Sequence, residues 1–467
     1  MATATLPWRL AACLLALGVC TAGAAPPLLE PAVWPRPRPL DAAALARFGI
    51  RLVEGTHLTL ATDVPPSAEV DELPAVIDAA VPLLAAYFAG DGKTAAAKKA
   101  GAEELNGWRV HACLIGDREK FTAAGLMPPP PHAEFPHALS MGYEVWLNRQ
   151  PSAYYNRALL IHEVTHSFMS TRLGGCGPGW YMEAVAELMA GHRWSAERPG
   201  GLALRRLPAT RDAAPYWGRV PLVRAAPGTL SVDAVMKLDN NRAMPVESYA
   251  AAWSLAKFLD AHPRYRDRWR KLPRIVLRRD FDARFRRAFA RDRRGLDAEY
   301  QLFARTLEYG HDIEREAIPF RRGKPLEGKP VRVVVSGGRG WQPAGVQVEQ
   351  GRVYRYRADG RYVVGAEPDG TPWPCEAGGI TLAYHGGRPL GQLLAAVVQW
   401  DAPALGGGLL RPLPLGPAGE FTAPATGTLY VRVNDSPAKL AANRGGPTLT
   451  VWPPADEGVT RATAKAD

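Results

Sequence analysis

The chain has 467 residues, with 57 Lys and Arg against 46 Asp and Glu, a formal net charge of +11 at pH 7. Hydrophobic residues make up 47% and charged residues 22%, which excludes a largely disordered chain and a coiled coil. The only apolar run approaching membrane length lies at the extreme N-terminus, which excludes a multi-span membrane protein.

The first 24 residues read as a secretory signal peptide. Arg9 supplies the positive n-region, Leu10 to Val19 a short apolar h-region, and Ala22-Gly23-Ala24 the cleavage site. The expected location is therefore secreted or periplasmic, with no transmembrane span after signal removal. Lipoprotein anchoring at Cys20, through Leu17-Gly18-Val19-Cys20, is the minor alternative, disfavoured by the bulk of Val19. Residues 25–40 form a Pro-rich tether, expected to be extended and poorly ordered. Beyond the signal remain Cys113, Cys176 and Cys375, an odd number, so at least one thiol is free or pairs with another chain. Their spacing gives no CxxC metal site.

Residues 41–150 alternate strand-like and helix-like segments. His57 to Ala61 alternates apolar and polar residues, and Val70 to Phe88 has helical spacing. Trp108 to Ile115 and Met141 to Leu147 read as strands, separated by a loop containing Pro128 to Pro131. From 151 to 322 the pattern is helical. Ala153 to Leu173 is one helix stopped by Gly174-Gly175, a second runs from Trp180 to Gly191, and a third from Tyr249 to Asp260. Arginines crowd Arg264 to Arg294, interleaved with Asp267, Asp280, Asp282 and Asp292, which reads as solvated helix faces. With no P-loop and no nucleic-acid signature, nucleic acid is not an expected partner. Gly323-Lys324-Pro325 and Gly328-Lys329-Pro330 mark a boundary. Short β-rich runs then follow at 331–335, 346–348, 353–358, 393–398, 429–433 and 448–451, which predicts a β-sandwich over 325–455 and a disordered tail at 456–467.

The sharpest chemical signal is His162-Glu163-Val164-Thr165-His166, preceded by the apolar Ala158 to Ile161. On a helix, residues four apart share a face, so both imidazoles can point at one ion. Two rigidly spaced imidazoles make half of a tetrahedral zinc site, and Glu163 beside them can hold the metal-bound water and take its proton. A catalytic zinc needs a third ligand. Seventeen residues after His166 stands Glu183, in Trp180-Tyr181-Met182-Glu183-Ala184-Val185-Ala186-Glu187. Glu187 lies one turn further on the same face, where it can accept a hydrogen bond from His162 and fix its tautomer. The glycine-rich turn 174–179 would return the second helix against the first.

These residues resemble the gluzincin metallopeptidases, most closely the peptidase-MA-like members with the pattern HExxH…WxxEGxAE. Ala184 stands where that pattern has glycine. The resemblance covers residues 50 to 310 and implies an α+β, zincin-like metallopeptidase fold, a mixed sheet lobe plus a helical lobe. It implies zinc held by His162, His166 and Glu183, with Glu163 as general base. It also implies a downstream group that stabilises the oxyanion. Tyr249, in the segment Ser248 to Leu259, is the candidate, with His192 as runner-up. Met141 to Leu147 would be the edge strand above the active-site helix, able to pair with an extended substrate.

The C-terminal run resembles the calcium-dependent, galactose-specific bacterial lectin β-sandwich. The residues that carry this are Trp341-Gln342, Gly345-Val346, Pro389-Leu390-Gly391-Gln392-Leu393, Gly427 to Asp435, and Asn443-Arg444-Gly445-Gly446. Asp435 and Asn443 match calcium and sugar ligand positions, and hard oxygen donors suit calcium. Ala442 replaces an asparagine and Lys439 puts a positive charge into the loop, so a structural or targeting sandwich is preferred over calcium binding.

The expected function is thus a secreted zinc-dependent metallohydrolase, a peptidase acting on a peptide or protein substrate. The alternative is a non-catalytic or degenerate zincin serving as a cell-surface glycan- or protein-binding protein. The intact Glu163 argues against degeneracy, because a closed structural zinc site has no use for a general base.

Overall fold

The structure is a computed structural model that describes residues 28–37, 39–89, 105, 107–198, 201–213, 218–238 and 244–454. The signal-peptide, Cys20 and C-terminal-tail expectations lie outside the described residues. The protein is a mixed α/β structure whose C-terminal third is β-rich. Among the described residues no helix is long and apolar enough to cross a membrane.

A five-stranded mixed sheet opens the fold. Its strands are β1 (Arg51–Glu54), β2 (Leu58–Thr62), β3 (Val110–Ile115), β4 (Ala138–Met141) and β5 (Glu144–Asn148). Their spatial order is β1-β2-β3-β5-β4, with β2, β3 and β5 parallel and the two outer strands antiparallel. Side chains alternate across the pleat. Val110, Ala112 and Leu114 face the main helical core, while Cys113 and Ile115 face a smaller cluster with Phe121 and Phe135. The run 141–147, expected as a single edge strand, is broken by Gly142 at φ 61°. Ala138–Met141 is the edge and β5 is interior.

The helices that matter for the site are α1 (Leu73–Phe88), α2 (Ala153–Arg172), α3 (Gly179–Ala190), α4 (Arg219–Ala225), α5 (Val246–Ala261) and α6 (Arg293–Thr306). Ser152 caps α2 by accepting from the Tyr155 amide. Gly174 ends it in the left-handed region, φ 74°, a conformation that favours glycine. Within the arginine-rich segment, Phe281, Phe285 and Phe289 face the core, and arginines pair with Asp233, Asp280, Asp292 and Asp297 at the surface.

The expected free tether is instead a docked strap over residues 28–37. The Leu29 amide donates to Leu277 O (2.7 Å) and the Ala32 amide to Gly174 O (2.8 Å). Trp34 covers Gly142, whose missing side chain leaves the room it fills. Proline pre-sets this extended form, which lowers the entropy lost on docking.

The β-rich region stacks two sheets. One places Leu393–Val398 beside Gly427–Val433 and Gln342–Val348. The other runs Ala418–Thr422, Val353–Asp359, Thr448–Val451, Val331–Val334. Their inner faces meet in a core that includes Val346, Tyr354, Leu393, Leu429 and Leu449. A separate apolar seam of Ala298, Leu302, Ile318, Trp341, Leu394 and Tyr430 joins this region to α6. Beside the seam, Arg432 grips Glu316 with both terminal nitrogens, at 3.0 and 3.2 Å. Both side chains are only 9% exposed. Removing one member of such a buried pair strands the other charge. Arg432→Ala is therefore expected to cost about 3–5 kcal/mol, read as a lowered urea midpoint. Replacing both residues with apolar side chains of similar volume should cost much less.

Candidate metal centre

Glycine makes the return from α2 to α3 tight. Gly174 and Gly177 both take φ of 74°, and α3 starts at Gly179. The outcome is that the carboxylates of α3 face the imidazoles of α2. His162 Nε2 lies 3.0 Å from His166 Nε2. Glu183 Oε2 lies 3.3 Å from His162 Nε2 and 3.5 Å from His166 Nε2. A tetrahedral ion with bonds of about 2.0–2.1 Å puts its donor atoms about 3.3–3.4 Å apart. The three observed separations bracket that value. Among the described residues, this trio is the one group of three or more His, Cys, Asp or Glu side chains placed to hold a metal ion.

The polar accounting points the same way. Glu183 Oε2 is buried and makes no hydrogen bond of acceptable geometry, despite two nearby ring nitrogens. Buried carboxylate oxygens without donors are rare in folded proteins. Lone pairs of three side chains converging on one point are what a cation satisfies. The donor set of two imidazoles and one carboxylate, with no thiolate, suits zinc held with an open coordination position.

Glu187 lies at the other ring nitrogen of His162 from Glu183. Its Oε1 lies 3.3 Å from His162 Nδ1. It is also held from the other side by Arg219, whose Nε and Nη2 donate to the two carboxylate oxygens at 2.7 and 2.8 Å. Nothing in the sequence signalled Arg219. It comes from α4, remote from the motif, and only the cost of burying the Glu187 charge called for such a partner. Burial alone would raise the Glu187 pKa, but the Arg219 charge and the His162 hydrogen bond bring it down to about 2. For Glu183 burial is again opposed, here by His166 and His162, and it stays well below the usual carboxylate range. Burial would lower the His162 pKa, yet the neighbouring carboxylates of Glu183, Glu187 and Glu163 raise it well above the usual imidazole value.

Glu163 is buried, and no protein group among those described donates to its carboxylate. Tyr249, on α5, comes to the same place. Its ring centroid is 6.3 Å from that of His162, and the Arg219 guanidinium lies 5.8 Å from its ring centre. Burial and the charges of Glu183, Glu187 and Glu163 raise the phenol pKa, so at neutral pH it is a proton donor.

His192 belongs elsewhere. It is buried, stacked on Tyr154 at 4.5 Å, with Nδ1 2.8 Å from Ala190 O and Nε2 3.3 Å from Arg157 Nε. Burial depresses its pKa to about 4, so it is a neutral core residue. The runner-up role is therefore corrected: the end of α3 turns His192 into the packing behind the helix.

Asp435 and Asn443 meet each other through Asn443 Nδ2 and Asp435 Oδ2, 2.8 Å apart. The other Asp435 oxygen accepts from the Ser436 amide at 2.7 Å, and the residue is fully buried. Asn443 Nδ2 also donates to Gly337 O. The loop itself is docked on the helical region. The Glu308 carboxylate accepts from Ser436 and from the Ala438 amide, and the Asp312 amide donates to Pro437 O at 3.1 Å. Cys113, Cys176 and Cys375 are all free thiols.

No family model matches the chain, and a search of curated proteins finds no match either. Among solved structures, one described as "EclA N-terminal domain; PllA-like lectin" is similar at 20% sequence identity. The similarity covers 26% of this chain and 93% of that one, with a TM-score of 0.20.

The geometry separates ligand from support in a measurable way. Glu183→Ala should abolish stoichiometric zinc in metal analysis of purified protein. Glu187→Ala and Arg219→Ala should weaken zinc by about 10–100-fold while leaving a measurable site. His192→Phe should leave zinc content unchanged.

Proposed function

We propose that the chain is a zinc-dependent metallohydrolase of the zincin type, and specifically a peptidase. The observation that carries this reading is the convergence of His162, His166 and Glu183 on one point, with the free carboxylate of Glu163 beside them. A structural zinc site is closed by four protein ligands, whereas three ligands and an adjacent base are the composition of a hydrolytic one.

Zinc held by these side chains supplies Lewis acidity, which acidifies water in the site and polarises a substrate carbonyl. The chain's own residues supply the rest. Glu163 takes the proton of the attacking water and can pass it to the leaving amine. Tyr249, protonated at neutral pH, donates a hydrogen bond to the oxygen that gains negative charge. Glu187, locked by Arg219, holds His162 in the tautomer whose Nε2 lone pair faces the ion. The edge strand β4 offers unpaired backbone groups along one side, which suits an extended peptide better than a compact small molecule.

Glu163→Gln is expected to keep its zinc and lose most turnover, because an amide cannot accept the proton. Tyr249→Phe is expected to lower kcat by about 10²–10³ with little change in KM. Both are measured on a peptide library with zinc content determined in parallel. Wild-type protein that holds zinc yet cleaves nothing in a broad library would favour the non-catalytic, binding-protein reading. Wild-type protein without zinc, unchanged by His166→Ala, would defeat the metal site itself.

A further inference from the structure

Away from the metal centre, Arg205, Arg206 and Arg270 line two adjoining open cavities of about 410 and 480 Å3. Sites of about 300–1,000 Å3 are typical for small molecules. The first cavity has an apolar floor of Leu83, Ala86, Tyr87 and Met189 and no acidic side chain in its lining. Met189 is two residues past Glu187, on the opposite face of α3, so this cavity and the metal centre lie back to back.

The charges around it do not balance. Asp260 is buried and spent on two guanidiniums, Arg205 Nη1 at 2.5 Å and Arg270 Nε at 2.9 Å. Lys257 is half-buried, and its ammonium donates to a carbonyl, Arg205 O at 2.8 Å, not to a carboxylate. Arg206 is exposed and has no carboxylate in ion-pair range among the described residues. The second cavity also has Asp312, 3.3 Å from Arg315 Nε, and Glu314, an exposed carboxylate 3.9 Å from Arg266 Nη1, so the surplus of positive charge is clearest in the first cavity. Of the four cations Arg205, Arg206, Lys257 and Arg270, only Arg205 and Arg270 therefore pair with a carboxylate, and both pair with Asp260. Burial and the three arginine charges pull the Lys257 pKa down to about 8, in spite of Asp260. A cleft of one sign against a low-dielectric wall concentrates the field and attracts the opposite charge.

The backbone is also committed to this arrangement. Arg205 has φ 61° and is the one non-glycine residue in the left-handed region among those described. Such a residue persists only where its surroundings over-determine it. Here the Lys257 bond to its carbonyl, the Asp260 pair and the Tyr87 ring 5.1 Å below its guanidinium do so.

We propose that this cavity binds a phosphate monoester. The phosphoryl group would be held by Arg206 and Arg270, and the carbon portion would rest on the Leu83 and Met189 floor. Guanidiniums match phosphate oxygens in pairs, and a dianion would offset the surplus that Asp260 leaves.

The test is calorimetric titration of the full-length protein with glucose 6-phosphate, with inorganic phosphate and with glucose. Glucose 6-phosphate should bind with an affinity that falls as salt rises, and glucose should not bind. Arg206→Glu should weaken glucose 6-phosphate by about ten- to a hundredfold without changing zinc content or peptide turnover. Arg206 is exposed, so this variant should fold normally, which an unchanged melting temperature in ligand-free buffer would verify. Phosphate binding at the zinc would survive Arg206→Glu, so the difference between the two proteins isolates the cavity. If inorganic phosphate binds as tightly as the ester and with the same Arg206 dependence, the site is one for the free ion and the ester assignment is overturned. No heat from either anion, or binding indifferent to Arg206→Glu, overturns the site.

Discussion

Four ionisable side chains packed on two helix faces, His162, His166, Glu183 and Glu187, cannot be buried together unless every charge meets its opposite. Each unpaired carboxylate in that setting would cost several kcal/mol. Arg219 resolves this for Glu187, with two short hydrogen bonds. For Glu183 the counter-charge comes from the imidazoles, or from a cation they would hold with it. The order of dependence therefore runs outward. α4 delivers Arg219, Arg219 fixes Glu187, Glu187 fixes His162, and His162 sets one edge of the triangle that Glu183 and His166 complete. The Tyr249 ring centre lies 5.8 Å from the same guanidinium, so the proposed oxyanion donor and the proposed metal-ligand support share Arg219 as a neighbour.

How much of this was legible before the fold was known differs from residue to residue. The spacing of His162, His166, Glu183 and Glu187 is a helical periodicity, and both helices lie within a residue or so of where the pattern puts them. Tyr249 is found beside His162, on a helix the apolar pattern also marks. Arg219 was invisible because no local period links it to the motif. His192 was misleading for the opposite reason. It is close to Glu183 in sequence, but α3 ends at Ala190 and the chain turns inward. The edge strand was misplaced because one glycine, Gly142, converts a continuous apolar run into a hairpin. Strands such as Tyr362–Ala366 and Pro372–Cys375 were missed because glycine and proline interrupt their alternation.

The C-terminal loop shows how the same residues can be claimed by different chemistry. A carboxylate and an amide eight residues apart can ligate calcium when their oxygens are free. Here each Asp435 oxygen accepts a hydrogen bond, and Asn443 turns its amide nitrogen toward Asp435 and Gly337, which leaves its Oδ1 buried without a hydrogen-bond partner. Glu308 and Asp312 then fasten the same loop to the helical region. Together with the Arg432–Glu316 pair, this makes the loop a clasp between the helices and the sheets.

The strap at residues 28–37 has a mechanical meaning. It is sewn to Leu277 and Gly174 on the helical side and covers Gly142 on the sheet side, with Arg36 reaching the Tyr143 ring. A hinge between the sheet and helical lobes would stretch this segment or peel it off. Pro31, Pro35 and Pro37 fix φ at three of its positions, which limits how far it can rearrange. Relative rotation of the sheet and the helices is thus braced where α2 terminates, at Gly174.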